Sequence, residues 1–381
     1  MQFDLTDDQR AIQEVARRFT ADRITPYAAE WDEKHIFPKS TIQAAAELGF
    51  AAIYVSEANG GIGLGRFEAA LIMEAMAYGC PSTSAFISIH NMATWMIDCF
   101  GDAALQAKYL PALVGMDHIA SYCLTEPGAG SDAASLKTRA VRDGDDYIVN
   151  GAKAFISGGG VNDIYVTMVR TGEDGAKGIS CLVIEKDMPG VSFGAPERKL
   201  GWHSQPTAQV NFDNVRVPVS NRVGTEGQGF AIAMAGLDGG RLNIGACSLG
   251  GGQRALDEAI AYTRERKQFG KAISDFQATQ FTLADMDTEL SAARALLYQA
   301  AAKVSAGAPD KTKFAAMAKR LATDTGMAVA DRALQLHGGY GYLMDFPVER
   351  IYRDLRVHQI LEGTNQIMRV ITAREMLRAA G

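Results

Sequence analysis

The 381-residue chain has only five cysteines, Cys80, Cys99, Cys123, Cys181 and Cys247, and no two form a CxxC pair. A scattered, odd set excludes a disulfide framework and reads as reduced thiols in a cytosol-like compartment. The six histidines show no HExxH or other ligand spacing, so no metal site is expected. No apolar run approaches the ~18 residues that a membrane span needs. Positive charge is not in excess either. A net charge of −6 argues against nucleic acid as the main partner. The opening stretch "MQFDLTDDQR" is acidic, with neither an apolar signal core nor an Arg-rich transit pattern, so a cytoplasmic protein is expected. Internal repeats and low-complexity tracts are also missing.

What is present is ordinary globular composition, 47% apolar and 22% charged, in a chain long enough for two or three packed units. The hydrophobic period changes twice along it. Residues 1–118 read as helices. Thr6 and Gln9 form a T-x-x-Q capping box ahead of Ile12, Val15, Ala16 and Phe19, and further helical runs follow at 40–48, 67–79 and 90–101. The glycine-rich "NGGIGLG" at 59–65 lacks GxGxxG spacing and a preceding strand, so it reads as a loop.

Residues 119–228 read as strands. "DDYIVNGAKAFISGG", "DIYVTMVRT", "GISCLVIEK" and "TAQVNFDNVRVP" are rich in Val, Ile, Thr and Tyr between Gly, Asn, Asp and Pro. No long helical segment interrupts them, which disfavours a βαβ dinucleotide fold. Residues 229–381 are helical again. Leu283, Met286, Leu290, Ala293 and Leu297 form a bundle seam, and another helix is expected from Lys311 to His337. The expectation is an α+β multidomain protein: an N-terminal helical domain, a middle β-barrel or sandwich, and a C-terminal four-helix bundle.

Five segments stand out. "YCLTEPGAGSD" (122–132) ends an apolar run in a turn dense with N–H donors and hydroxyls, suited to a polar ligand, though such a segment is more often only a turn. "TRERKQFG" (263–270) reads as a basic helix end, and "LQLHGGYGYL" (334–343) as a helix closing on a glycine. The helix from Gly229 contains Gly236, Gly239, Gly240, Gly245 and Gly250 to Gly252, each costing ~1 kcal/mol relative to alanine. Close helix packing or a ligand lying on the backbone would each explain them. Finally, "ILEGTNQIMR" sets Glu362 between an apolar pair and Gly363. An acid capping a helix is the common reading of such a residue, and a base facing a dry pocket is the functional one.

Taken together and in order, "YCLTEPGAGSD", "FISGG", "RKQFG", "LHGGYGY" and "ILEGTNQIMR" resemble the acyl-CoA dehydrogenase family over essentially the whole chain. "HNMATWMIDCFG", "KGISCLVIEK", "GWHSQPT" and "RVHQILEG" look like its isobutyryl-CoA branch, an activity of valine breakdown. The resemblance implies FAD held between the β domain and the bundle, an acyl-CoA substrate, an electron-transfer flavoprotein as electron acceptor, and a homotetramer.

Carried over residue by residue, it assigns the FAD surface to Tyr122, Cys123, Leu124, Thr125, Glu126, Pro127, Gly128, Ala129, Gly130 and Ser131, with Phe155, Ile156 and Ser157. Ser157 would sit near the reactive flavin nitrogen. The diphosphate and adenosine fall to Arg266, Phe276, Gln277, Gln335, Leu336, His337, Gly338 and Gly339, partly from a neighbouring subunit. Further FAD contacts fall to Thr364, Asn365 and Gln366. Ser131, Asp238, Gly239, Gly240, Arg241 and Arg374 match positions contacting the CoA thioester.

Glu362 matches the catalytic base. The family's other base position holds Gly240 here. On this reading Glu362 removes the α-proton, its pKa raised by burial beside Ile360 and Leu361. The hydride passes to FAD, turning isobutyryl-CoA into methacrylyl-CoA. Phe155 and Ser157 replace the Trp and Thr of many members, as in the isobutyryl branch, whereas Asp238 stands where that branch often has Asn. The alternatives are butyryl- or 2-methylbutyryl-CoA as substrate, an acyl-CoA oxidase, and a flavin-bearing DNA-binding relative.

Overall fold

The computed structural model describes residues 4–380. Six helices come first: α1 (Asp7–Arg23), α2 (Ala28–Glu33), α3 (Lys39–Ala46), α4 (Arg66–Gly79), α5 (Pro81–Phe100) and α6 (Ala103–Val114). The expected capping box opens α1, with Thr6 Oγ1 accepting from Gln9 N at 3.2 Å and Gln9 Oε1 accepting from Thr6 N at 3.1 Å. Pro81, at the first position of α5, starts that helix nine residues before the stretch where helical periodicity becomes evident.

Strands β1 (Ala120–Cys123), β2 (Arg139–Asp143), β3 (Asp146–Ser157), β4 (Ile164–Arg170), β5 (Ile179–Glu185), β6 (Val191–Phe193), β7 (Thr207–Pro218) and β8 (Arg222–Val223) build one sheet. Its order is β6-β7-β3-β2-β4-β5-β8, with β1 paired to β4. The β1–β4 and β2–β4 pairs are parallel and the others antiparallel, so the sheet is mixed. Alternation along β4 explains how it is buried on both sides. Ile164, Val166 and Met168 face a core shared with Met92, Met96, Ile232 and Leu237 of the helices, while Tyr165 and Val169 face the inner side with Tyr147, Val149 and Phe212.

The chain then enters α7 (Gly229–Glu265), a short hairpin of β9 (Lys267–Gln268) and β10 (Lys271–Ala272), α8 (Gln277–Ser305), α9 (Lys311–His337), α10 (Pro347–Arg356) and α11 (Asn365–Ala380). The bundle seam is as the spacing requires: Met286, Leu290, Ala293 and Leu297 are fully buried. The basic segment after α7 differs from expectation. The helix stops at Glu265 and "RKQFG" turns as the hairpin, with Phe269 at φ 53° and Gly270 at φ 81° in its tip. Two successive left-handed residues end the helical pattern there.

The helices before and after the sheet also share one core, in which Phe19, Ile72 and Met76 join Leu242, Leu249, Leu290 and Leu355. Most α7 glycines serve this packing. A Cβ on Gly250 would lie 2.2 Å from the Glu74 carbonyl oxygen, and one on Gly252 would lie 3.2 Å from the Gly326 Cα. Among the described residues, no helix is long and apolar enough to cross a membrane.

Candidate active site

The turn before α11 is conformationally unusual. Glu362 has φ 54° and Gly363 has φ 90°. A left-handed non-glycine residue costs of order 1–3 kcal/mol and persists only where its surroundings hold it. Thr364 closes the turn as N-cap of α11, its Oγ1 accepting from Ile367 N at 3.3 Å. The result aims Glu362 inward against α7. A Cβ on Gly240 would lie 2.4 Å from Glu362 Oε2, so glycine there makes room for this carboxylate. Gly239 does the same for another side chain, since its Cβ would lie 2.3 Å from Arg66 Nη1. These two glycines therefore answer to side chains of the protein itself.

Glu362 Oε2 is buried and has no hydrogen-bond partner among the described residues. Burial pushes the Glu362 pKa up to about 7, outweighing the opposite pull of Arg241 and Lys319. Ile360 does not contribute as expected. It is 51% exposed, because the chain leaves a 3₁₀ turn at Gln359 and swings that side chain outward. The enclosure comes instead from α7 and α9.

Arg241 is buried, donating to Asp238 Oδ1 at 2.9 Å and to the Glu362 carbonyl at 3.4 Å. The other Asp238 oxygen accepts from Thr312 Oγ1 at 2.7 Å. From α9, fully buried Lys319 donates to the Gly363 carbonyl and to Asn365 Oδ1, each at 2.9 Å. Tyr122 sends a buried, unpartnered hydroxyl toward the same region, its pKa driven up by burial and by the Glu362 charge. Of the remaining expected thioester contacts, Ser131 is exposed at its turn, and Arg374 is exposed and bonds Glu375 at 3.3 Å.

The second cluster surrounds the turn after β1. Glu126 and Ala129 close it with reciprocal backbone bonds of 3.1 Å, leaving Pro127, Gly128, Gly130 and Ser131 exposed. Leu124 is buried, and the Thr125 carbonyl accepts from Ala154 N at 2.9 Å. Beneath the turn, Lys153 Nζ donates to Glu126 Oε1 at 2.7 Å and to the Leu124 carbonyl at 3.1 Å. Glu126 also accepts from Lys137 N at 2.6 Å and Thr138 N at 2.9 Å. The β3–β7 register shifts between Lys153 and Ile156. Within that irregularity Phe155 has φ 58° and exposes 67% of its surface, while Cys123 and Ile156 point into the core. Ser157 Oγ accepts from Gln205 Nε2 at 2.6 Å, which leaves its O–H free to donate.

Arg266, Gln335, Leu336, His337, Gly338 and Gly339 meet around a cavity of about 430 Å³ at the C-terminal end of α9. His337 is buried and stacks on Tyr262 at 4.4 Å. Phe276 packs edge-on to Phe269 at 6.3 Å, and exposed Gln277 opens α8. Gln366 is exposed. Asn365 turns inward: its Nδ2 donates to Thr323 Oγ1 and Asp324 Oδ1, leaving only its backbone for a ligand.

Residues 6–117, 121–215 and 227–377 match the N-terminal, middle and C-terminal domains of acyl-CoA dehydrogenases. The chain belongs to the acyl-CoA dehydrogenase family. It is 55% identical to the mitochondrial isobutyryl-CoA dehydrogenase of Dictyostelium discoideum and 51% identical to that of Bos taurus, covering 98% of this chain and 90% of each relative. Butyryl-CoA dehydrogenase of Megasphaera elsdenii superposes with a TM-score of 0.96 at 38% identity, over 99% of this chain and 100% of that one. The FAD complex of PigA superposes with a TM-score of 0.95 at 32% identity, over 99% of both chains. Acyl-CoA dehydrogenases are FAD-dependent, and this chain is an oxidoreductase of that kind.

Four buried participants escape a reading by motif: Lys319, Lys153, Arg66 and Gln205. Lys319 and Lys153 lie in apolar or strand-like runs, "FAAMAKRLA" and "NGAKAFIS", but neither run names the lysine's partner. Arg66 packs its guanidinium 3.5 Å over the Tyr54 ring and 4.7 Å from that of Trp95, contacts that the sequence does not reveal.

Proposed function

We propose that this acyl-CoA dehydrogenase oxidises a short branched acyl-CoA, isobutyryl-CoA to methacrylyl-CoA, with Glu362 taking the α-proton. The observation that carries the base is the unpartnered Glu362 carboxylate, its Oε2 out of solvent and its pKa raised to about 7, while similarity to isobutyryl-CoA dehydrogenases supports the substrate. A general base works best with its pKa near the working pH, and positioned base catalysis contributes about 10²–10⁴-fold.

The Glu362 N–H has no acceptor among the described residues. It is available to donate to the thioester oxygen as negative charge develops there. A donor so placed is worth about 3–4 kcal/mol. Arg241 fixes the Glu362 carbonyl and Lys319 the Gly363 carbonyl, so the N–H and the carboxylate are held together.

The surroundings fit FAD. Gly128, Gly130, Gly338 and Gly339 open onto free space, Phe155 offers an exposed ring, and the free Ser157 O–H can donate to the reactive flavin nitrogen. Tyr122 to Ser131 and Phe155 to Ser157 would hold the ring side. Arg266, Phe276, Gln277 and Gln335 to Gly339 would hold the diphosphate and adenosine, and Thr364 to Gln366 would complete the site. When bound, FAD supplies acceptance of the β-hydride.

An electron-transfer flavoprotein as acceptor, a homotetramer in which two subunits build each FAD site, and a cytoplasmic location belong to the same proposal. The free cysteines support the last.

Anaerobic titration with isobutyryl-, butyryl- and 2-methylbutyryl-CoA, followed by flavin absorbance, tests the substrate. Isobutyryl-CoA should bleach the flavin fastest, and faster bleaching by butyryl-CoA would reassign it.

A further inference from the structure

The Glu362–Gly363 turn places two consecutive left-handed residues where the site needs its most exact geometry. Left-handed backbone at a glutamate is retained only against an opposing cost, so something must hold it. The contacts single out one face of α9. Lys319 reaches across to the Gly363 carbonyl and to Asn365 Oδ1, both at 2.9 Å. One turn further on, Thr323 and Asp324 take the two Asn365 N–H groups at 2.9 and 2.7 Å. Apart from Arg241 of α7, which reaches the Glu362 carbonyl at 3.4 Å, the side-chain bonds to the turn and to Asn365 come from α9.

We propose that Lys319 is the positioning residue of this site: its ammonium group holds the Glu362–Gly363 turn in place and sets the charge beside the base. The inference rests on the reading of Glu362 as that base.

A lysine with no solvent exposure is costly, and a neutral residue could have filled the space. What a neutral residue would not supply is a cation close to a carboxylate that burial alone would leave protonated. The charged and titratable groups facing Glu362 come from every side: Arg241 and Cys247 on α7, Lys319 on α9, Tyr122 on β1, and Tyr54 before α4. Only Arg241 and Lys319 favour the carboxylate form. Arg241 is already committed to Asp238 at 2.9 Å, whereas Lys319 makes no ion pair within 4 Å among the described residues. The nearest acid to share its charge along α9 is Asp324, which also receives Gln359 and Asn365.

The test is the pH dependence of anaerobic flavin bleaching by isobutyryl-CoA in the FAD-loaded enzyme. Lys319→Met removes both the bond and the charge, and Lys319→Gln keeps a neutral donor near the Gly363 carbonyl. Both should move the acid limb of the profile to higher pH, because loss of a neighbouring cation raises a carboxyl pKa. A one-unit move lowers the rate on that limb about tenfold. Asn365→Ala removes the Asn365 side-chain bonds to α9 but keeps the Lys319 cation and its bond to the Gly363 carbonyl, so it should lower the plateau and leave the limb in place. If Lys319→Met does not fold, Lys319→Gln alone decides the matter. A role confined to structure would lower the plateau or the melting temperature with the limb unmoved, and that result overturns the inference. Glu362→Gln, run alongside, separates the two failures. If it keeps wild-type rates, the base assignment itself falls. If it is inactive and the Lys319→Gln limb is unmoved, only the role of Lys319 falls.

Discussion

Two buried lysines, Lys153 in the sheet and Lys319 in the bundle, each stand near a glutamate, and the two glutamates differ in kind. Glu126 is saturated. It receives the Lys153 ammonium and two backbone N–H groups. Burial works against its charge, yet the Lys153 charge and these bonds together bring its pKa below the usual value. Glu362 has one oxygen out of solvent and none of these bonds, and burial raises its pKa to about 7. In the first pair the lysine grips the carboxylate itself. In the second it grips the backbone one residue away, leaving the carboxylate unengaged. The comparison separates a strut from a base: the same two residue types differ by where the ammonium group is anchored.

Breaking the strut should have the largest effect. Lys153→Met or Glu126→Gln leaves one buried group uncompensated, which typically costs about 3–5 kcal/mol. Urea unfolding should show a loss of that order, with FAD retained poorly. Stability within ~1 kcal/mol of the wild type would remove the distinction.

The base should behave oppositely. A carboxyl whose folded pKa is raised contributes stability fully present below its unfolded value of 4.5 and lost as pH rises through about 7. Glu362→Gln should therefore be more stable than the wild type above pH 7, by up to about 3 kcal/mol. The advantage should vanish near pH 4.5, as thermal melts across that range would show. A Glu362→Gln protein destabilised at high pH would mean that the carboxylate is paired after all.

The smallest change is Gly240→Ala. Its methyl would displace the Glu362 carboxylate, and a misplacement of about 1 Å can cost up to ~10²-fold in rate. Alanine also favours a helix interior by ~1 kcal/mol, so rate and stability should move in opposite directions. Steady-state kinetics with a melting curve reads both.

How much of this was legible beforehand follows from the physics of each feature. Local signals survive well: the Thr6 capping box, the α8 seam and the limits of α9 all depend on residues within a few turns of one another. Glu362 was singled out by its motif, and its Oε2 does turn out of solvent. Its left-handed backbone was not legible, because Gly363 alone announces a turn.

Non-local features were hidden. Lys153 meets Glu126 across 27 positions and Lys319 meets Gly363 across 44, while a lone lysine in a sequence reads as solvated. The glycines of α7 were ambiguous for the same reason. Their partners, Glu362, Arg66, Glu74 and Gly326, come from distant segments. Ile360 misled in the other direction, since apolar character beside an acid does not say which way either side chain points.

The most direct test of the central claim is the single-turnover rate of flavin bleaching by isobutyryl-CoA, measured anaerobically against pH in the wild-type holoenzyme. The account predicts a rate that climbs about tenfold per pH unit and levels off close to pH 7, with the climb absent from a nearly inactive Glu362→Gln enzyme. A wild-type rate that is flat down to the ordinary carboxylate range, or Glu362→Gln bleaching at full speed, would contradict it.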